Sequence, residues 1–91
     1  MRVSRDAIIC PHALAEMRRR QVTEEDVRRV LSAPEQTLTA RKGRVILQSR
    51  MEMGVPPKTY LLRVVVEVDR DPQEVVTVYR TSKLEKYWRK P

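Results

Sequence analysis

The chain has 91 residues, 41% of them hydrophobic but only 4% aromatic, with no Phe, so one small aliphatic core has to hold it. A single Cys and a single His exclude an internal disulfide framework and the usual zinc ligand sets, and neither a metal nor another cofactor is expected. Lys and Arg number 19 against 12 Asp and Glu, a formal charge of +7 at pH 7, which points to a polyanionic partner, either nucleic acid or an acidic protein.

No linker, repeat or low-complexity tract interrupts the sequence, and residues 1–91 read as one domain. The first ten residues, MRVSRDAIIC, contain a four-residue apolar run, too short for a signal-peptide core. No segment approaches the ~20 apolar residues of a membrane span. The expectation is a cytoplasmic protein without membrane contact.

Pro11 suits the first position of a helix, where its missing N–H costs nothing, and that helix is predicted to run to about Arg20. At ~100° per residue, Ala13, Leu14 and Met17 form an apolar stripe. His12, Glu16 and Arg19 fall on the opposite face. His12 is therefore not a core histidine; an exposed surface residue and an acid–base group both remain open. The next stretch, VTEEDVRRVL, carries a capping box between Thr23 and Asp26, with Val22 and Val27 placed as a hydrophobic staple. Glu24, Glu25 and Asp26 suit the positive end of the helix dipole, and Pro34 ends this second helix.

After Pro34 the hydrophobic period changes to two. QTLTA and RVILQSRM flank RKG, a hairpin turn containing Gly43. TYLLRVVVEVD is the longest strand, with Leu62, Val64, Val66 and Val68 on one face and Arg63, Val65 and Glu67 on the other. In the last strand, EVVTVYR, Val76 and Val78 take one side and Val75, Thr77 and Tyr79 the other. A polar second face is normal for a half-buried sheet. The cluster Thr77, Tyr79 and Arg80 at a strand end in so basic a chain is the feature to follow. Ser82 and Glu85 form a capping box for a short helix from Lys83. Tyr87 and Trp88, being adjacent, cannot share a face. The predicted fold is α+β: two N-terminal helices packed on one face of a four-stranded antiparallel sheet, then a short C-terminal helix.

The order HALAEM, RQVTEEDV, meander, VVTVYRTSKLEKYW resembles a bacterial domain-of-unknown-function family related to the RelE-like and BrnT-like toxin ribonucleases. The resemblance covers nearly the whole chain. It departs at Glu16, where the family pattern often has Arg, and at Gln21, where it often has Gly. It implies a compact domain whose sheet surface binds RNA. It also implies metal-independent cleavage by the RNA's own 2′-hydroxyl, with an acidic antitoxin protein as partner. Such a reaction needs an acid–base group and cations around the phosphate. On this resemblance His12, Tyr79, Arg80 and Thr77 are the catalytic candidates, and Arg19, Arg63, Lys83 and Lys86 the RNA-binding ones. Arginine suits bidentate phosphate contact.

Three function classes follow: a ribonuclease toxin, a catalytically silent RNA- or protein-binding module on the same fold, and a helix-turn-helix DNA binder. The third is the weakest. Its recognition helix would begin with Glu24, Glu25 and Asp26, which repel phosphate at the groove-entering end.

Overall fold

Local signals set both N-terminal helices. A computed structural model describes residues 3–90. In it α1 spans Pro11–Arg19 and α2 spans Glu24–Ser32. Cys10 is the N-cap of α1, its sulfur accepting from the Ala13 N–H at 3.4 Å. At α2 the capping box forms as read: Thr23 Oγ1 accepts from Asp26 N (3.1 Å) and Asp26 Oδ2 from Thr23 N (3.2 Å). Val22 and Val27, the staple residues, are both buried.

The end of α1 is built against local preference. Gln21 has φ of +56°, the left-handed region that suits glycine. Val22 N donates to Met17 O (2.9 Å) and Gln21 N to Arg18 O (3.3 Å). Together these make the two-bond helix stop normally closed by glycine. Gln21 is exposed, and a side chain in this region costs roughly 1–2 kcal/mol. Gln21→Gly is therefore expected to stabilise the fold by about 1 kcal/mol, raising Tm by about 5 °C in a thermal melt.

The sheet corrects the sequence reading. It has five strands and is mixed, in the order β1-β5-β4-β3-β2, with β1 Ile8–Ile9, β2 Gln36–Arg41, β3 Arg44–Met53, β4 Lys58–Glu67 and β5 Glu74–Thr81. β1 pairs parallel to β5 while the other pairs are antiparallel, so the expected four-stranded antiparallel sheet is wrong. A two-residue strand has no alternation to read. It is held by Ile8 N donating to Gln73 O (2.9 Å) and Cys10 N to Val75 O (3.0 Å). The β2–β3 turn uses Gly43 at φ +80°, where a Cβ would lie 2.8 Å from Asp69 Oδ2.

A second correction concerns β5. Val65 pairs with Thr77 but Val66 with Val75, so Val76 is an extra residue in the ladder. One extra residue reverses the alternation beyond it. Val75 therefore joins Val78 in the core and Val76 does not.

The core lies between α1, α2 and one sheet face, built from Ala13, Met17, Val27, Val30, Leu31, Leu47, Leu62, Val64, Val66, Val75 and Val78. The other face was expected to be open and polar. Part of it is covered by the C-terminal segment with α3, Leu84–Tyr87, and Leu61, outside the helix-side core, is fully buried. α3 starts one residue later than read and has no side-chain cap. The N-cap is Lys83 rather than Ser82, so the Ser82–Glu85 box does not form; the Lys83 N–H donates to Thr81 Oγ1 (3.1 Å).

Candidate nucleic-acid interface

α1 runs along the outer edge of β5, fastened at three alternate residues. Cys10 Sγ donates to Val76 O (3.6 Å), Glu16 Oε1 accepts from Val78 N (3.2 Å), and Arg80 Nε donates to Arg20 O (2.9 Å). Glu16 is only 9% exposed, so it belongs to the buried side of the helix and not to the opposite face assigned from the helical wheel. It satisfies a strand-edge amide that the short β1 does not reach. Its other contact is His12 Nε2 at 3.6 Å, with the imidazole 68% exposed.

The sequence candidates fall into three places. His12 stands on the first turn of α1, beside the β5 edge. Tyr79 and Thr77 lie on the sheet face away from the helices, with Arg63 directly opposite Tyr79 in the ladder. Arg80 points to the helix side, stacked on Tyr60 at 4.5 Å. Among the described residues no hydrogen bond, ion pair or ring contact joins His12 to Thr77, Tyr79 or Arg80.

Arg63 is 6% exposed, buried in a polar row that crosses four strands. Gln36, Gln48, Arg63 and Tyr79 are direct cross-strand neighbours and therefore share a face. Gln48 Nε2 donates to Gln36 Oε1 (2.7 Å), Arg63 Nε to Gln48 Oε1 (2.9 Å), and Arg63 Nη1 to the Tyr79 hydroxyl. The Tyr87 ring lies 4.4 Å from the guanidinium, and its ring meets Tyr79 edge-on at 6.3 Å. No carboxylate pairs with Arg63 among the described residues. Its charge rests on two aromatic faces, an amide oxygen and a hydroxyl, groups that offset desolvation only in part.

Charge is distributed unevenly along the strands. At the end holding the β2–β3 and β4–β5 turns, Arg41, Lys42, Arg44 and Arg70 face Glu67, Asp69, Asp71 and Glu74. Arg44 bonds Glu67 at 2.7 Å, and Arg70 bonds both Glu67 and Glu74. The hydrogen bond from Arg44, aided by the nearby Arg70, holds the Glu67 carboxyl below its usual value, so this end stays neutralised. On α2, Arg28 and Arg29 pair with Glu24, Glu25 and Asp26.

The opposite end is different. The start of β4, the end of β5 and the C-terminus of α1 meet there, as the Leu61–Thr81 pairing and the Arg80–Arg20 bond require. Arg18, Arg19, Arg20, Lys58, Lys83 and Lys86 are all exposed, and none is in an ion pair among the described residues. Tyr60 lies among them with Lys58 at 5.8 Å; Trp88 lies beneath Arg50 at 4.4 Å, a guanidinium that is itself paired with Glu35 at 2.7 Å. Exposed, unpaired cations interleaved with aromatic rings form a surface suited to a phosphate backbone and its bases.

Sequence reading found Arg19, Arg80, Lys83 and Lys86 at this end but missed Lys58, Tyr60 and Arg18. It also missed Gln36 and Gln48. The available signal for Gln48 was a polar residue inside the apolar run RVILQSRM.

Residues 9–80 match the family described as Domain of unknown function (DUF4258), and the chain belongs to that family. No curated protein and no solved structure matches it. Among the described residues no helix is long and apolar enough to cross a membrane.

Proposed function

We propose that this protein is a single-stranded RNA-binding module that uses the basic end of its sheet, and that the DUF4258 fold is a relative of the RelE-like and BrnT-like toxin ribonucleases. The observation that carries the reading is the convergence of unpaired cations on one end while the other end is charge-balanced. RNA is favoured over DNA by that resemblance, and single strands over duplex by the aromatic rings set among the cations.

Binding is supported better than cleavage by the placement of the candidates. A ribonuclease using His12, Tyr79 and Arg80 needs all three at one phosphate. Here Tyr79 is committed to Arg63 on the far sheet face, Arg80 to the end of α1 on the helix side. His12 lies ~10 Å along the helix axis from Arg19. The test incubates the protein with short mixed-sequence single-stranded RNA at low salt without metal, then follows retention and strand length. Retained, uncut RNA and unchanged retention by His12→Ala is the expected result. Cleavage by wild type that His12→Ala lowers by ~10²–10⁴-fold would replace this reading with the toxin one. Failure to retain RNA, with capture of an acidic protein instead, would assign the charge to such a partner.

A further inference from the structure

We propose that Gln36 and Gln48 are positioning residues for RNA binding: they fasten the C-terminal segment across the sheet and so fix that segment's cations at the interface. The inference rests on the RNA-binding reading above and gives it a moving part.

The C-terminal segment has little of its own to hold it. α3 has four residues, none buried and no side-chain cap, and a helix this short is not stable alone in water. The segment carries Lys83, Lys86, Arg89 and Lys90, and it passes over Arg63, a buried cation with no carboxylate. Charge therefore opposes docking.

What opposes that repulsion is the polar row. The Gln36 amide satisfies both backbone groups of one residue, Nε2 donating to Arg89 O (2.6 Å) and Oε1 accepting from Arg89 N (3.0 Å). Gln48 Nε2 donates to Tyr87 O (3.1 Å). The clamped residues alternate, 87 and 89, and Trp88 between them is extended and stacks under Arg50. Tyr87 stacks on Arg63. Gln48 is 0% exposed, and its amide oxygen and nitrogen are both engaged, so the bond to Tyr87 is tied to those with Gln36 and Arg63. This is a side-chain imitation of strand pairing that grips backbone, not sequence.

A clamped segment presents Lys83 and Lys86 in fixed positions, whereas a loose one has to be ordered each time RNA binds. By linkage, RNA that uses these cations must in turn favour the docked segment.

Trp88 is the only Trp, so its emission reports docking. The experiment measures affinity for a labelled mixed-sequence single-stranded RNA by anisotropy, for wild type, Gln36→Ala, Lys86→Ser and the double variant, with melts confirming the fold. Gln36→Met, which keeps bulk and removes both hydrogen bonds to Arg89 together with the one from Gln48, is the second clamp variant. The expected result is that Gln36→Ala shifts Trp88 emission to the red and weakens binding about 3–10-fold, the effect of ordering one or two side chains at binding. Lys86→Ser is expected to cost clearly less in the Gln36→Ala background than in wild type. Equal costs in both backgrounds, or a red-shifted Trp88 with unchanged affinity, would overturn the positioning role while leaving RNA binding intact. A wild type that binds no RNA would remove the RNA-binding reading, and this inference with it.

Discussion

Val66→Asp is expected to leave no folded protein at room temperature. Val66 is 0% exposed, on the helix side of β4, opposite Val45 on one neighbour and Val75 on the other. Nothing polar among these neighbours can pair with a carboxylate, so the charge is buried unpaired or the strand gives way. Either outcome costs several kcal/mol. A domain of this size has a total stability of the order of 5–10 kcal/mol. Val66→Ala grades the effect: losing the buried methyl groups should cost about 2–3 kcal/mol, read as a lower urea midpoint with unchanged slope. Thr39→Asp, at an exposed position on β2, is the control and should change the midpoint little. A Val66→Asp protein with a wild-type cooperative transition would contradict the register of β4.

The sequence displayed the parts of this fold that are local. Thr23 and Asp26 are three residues apart, and their capping box is written in adjacent turns. Leu62, Val64 and Val66 alternate, and alternation alone puts them on one face. The features that escaped reading depend on partners far along the chain. Glu16 looked solvent-facing on a helical wheel, yet its carboxylate meets an amide 62 residues away. β1 exists only because β5 returns to pair with it. The bulge at Val76 is set by what β4 presents across the ladder, which no period within EVVTVYR records.

The candidate site follows the same division. Charge excess and the basic C-terminal run were visible as composition. Their convergence was not, because Lys58, Arg80 and Arg20 meet only through the antiparallel return of β5 and the docking of α1. Arg63 was read as an accessible phosphate ligand; its burial depends on Tyr87 and on the clamp between Gln36 and Arg89, 53 residues apart. Gln21, by contrast, was legible as a departure from the family pattern. Its positive φ is the backbone conformation that favours glycine.

Removing the exposed cations of the basic end is expected to have the largest effect on binding. The suitable set is Arg19→Ser, Lys58→Ser, Lys83→Ser and Lys86→Ser together. Arg80 is left in place because it holds the end of α1 through Arg20 O. Among the described residues none of the four side chains is in an ion pair, a hydrogen bond through its own side chain or the core, so the melt should move little. If about four phosphates are neutralised, affinity for single-stranded RNA should fall with salt at a logarithmic slope near −3, from ~0.7 per phosphate. That slope corresponds to a roughly fifty-fold loss between about 50 and about 200 mM salt. Each cation removed should take ~0.7 from the slope.

The decisive measurement is this salt titration on wild type and the four-site variant, using the same single-stranded RNA. The expected result is a slope near −3 for wild type and a nearly flat, much weaker dependence for the variant, with both proteins equally folded. A salt-independent affinity in wild type, or an identical slope in the variant, would contradict the assignment of RNA to the basic end of the sheet.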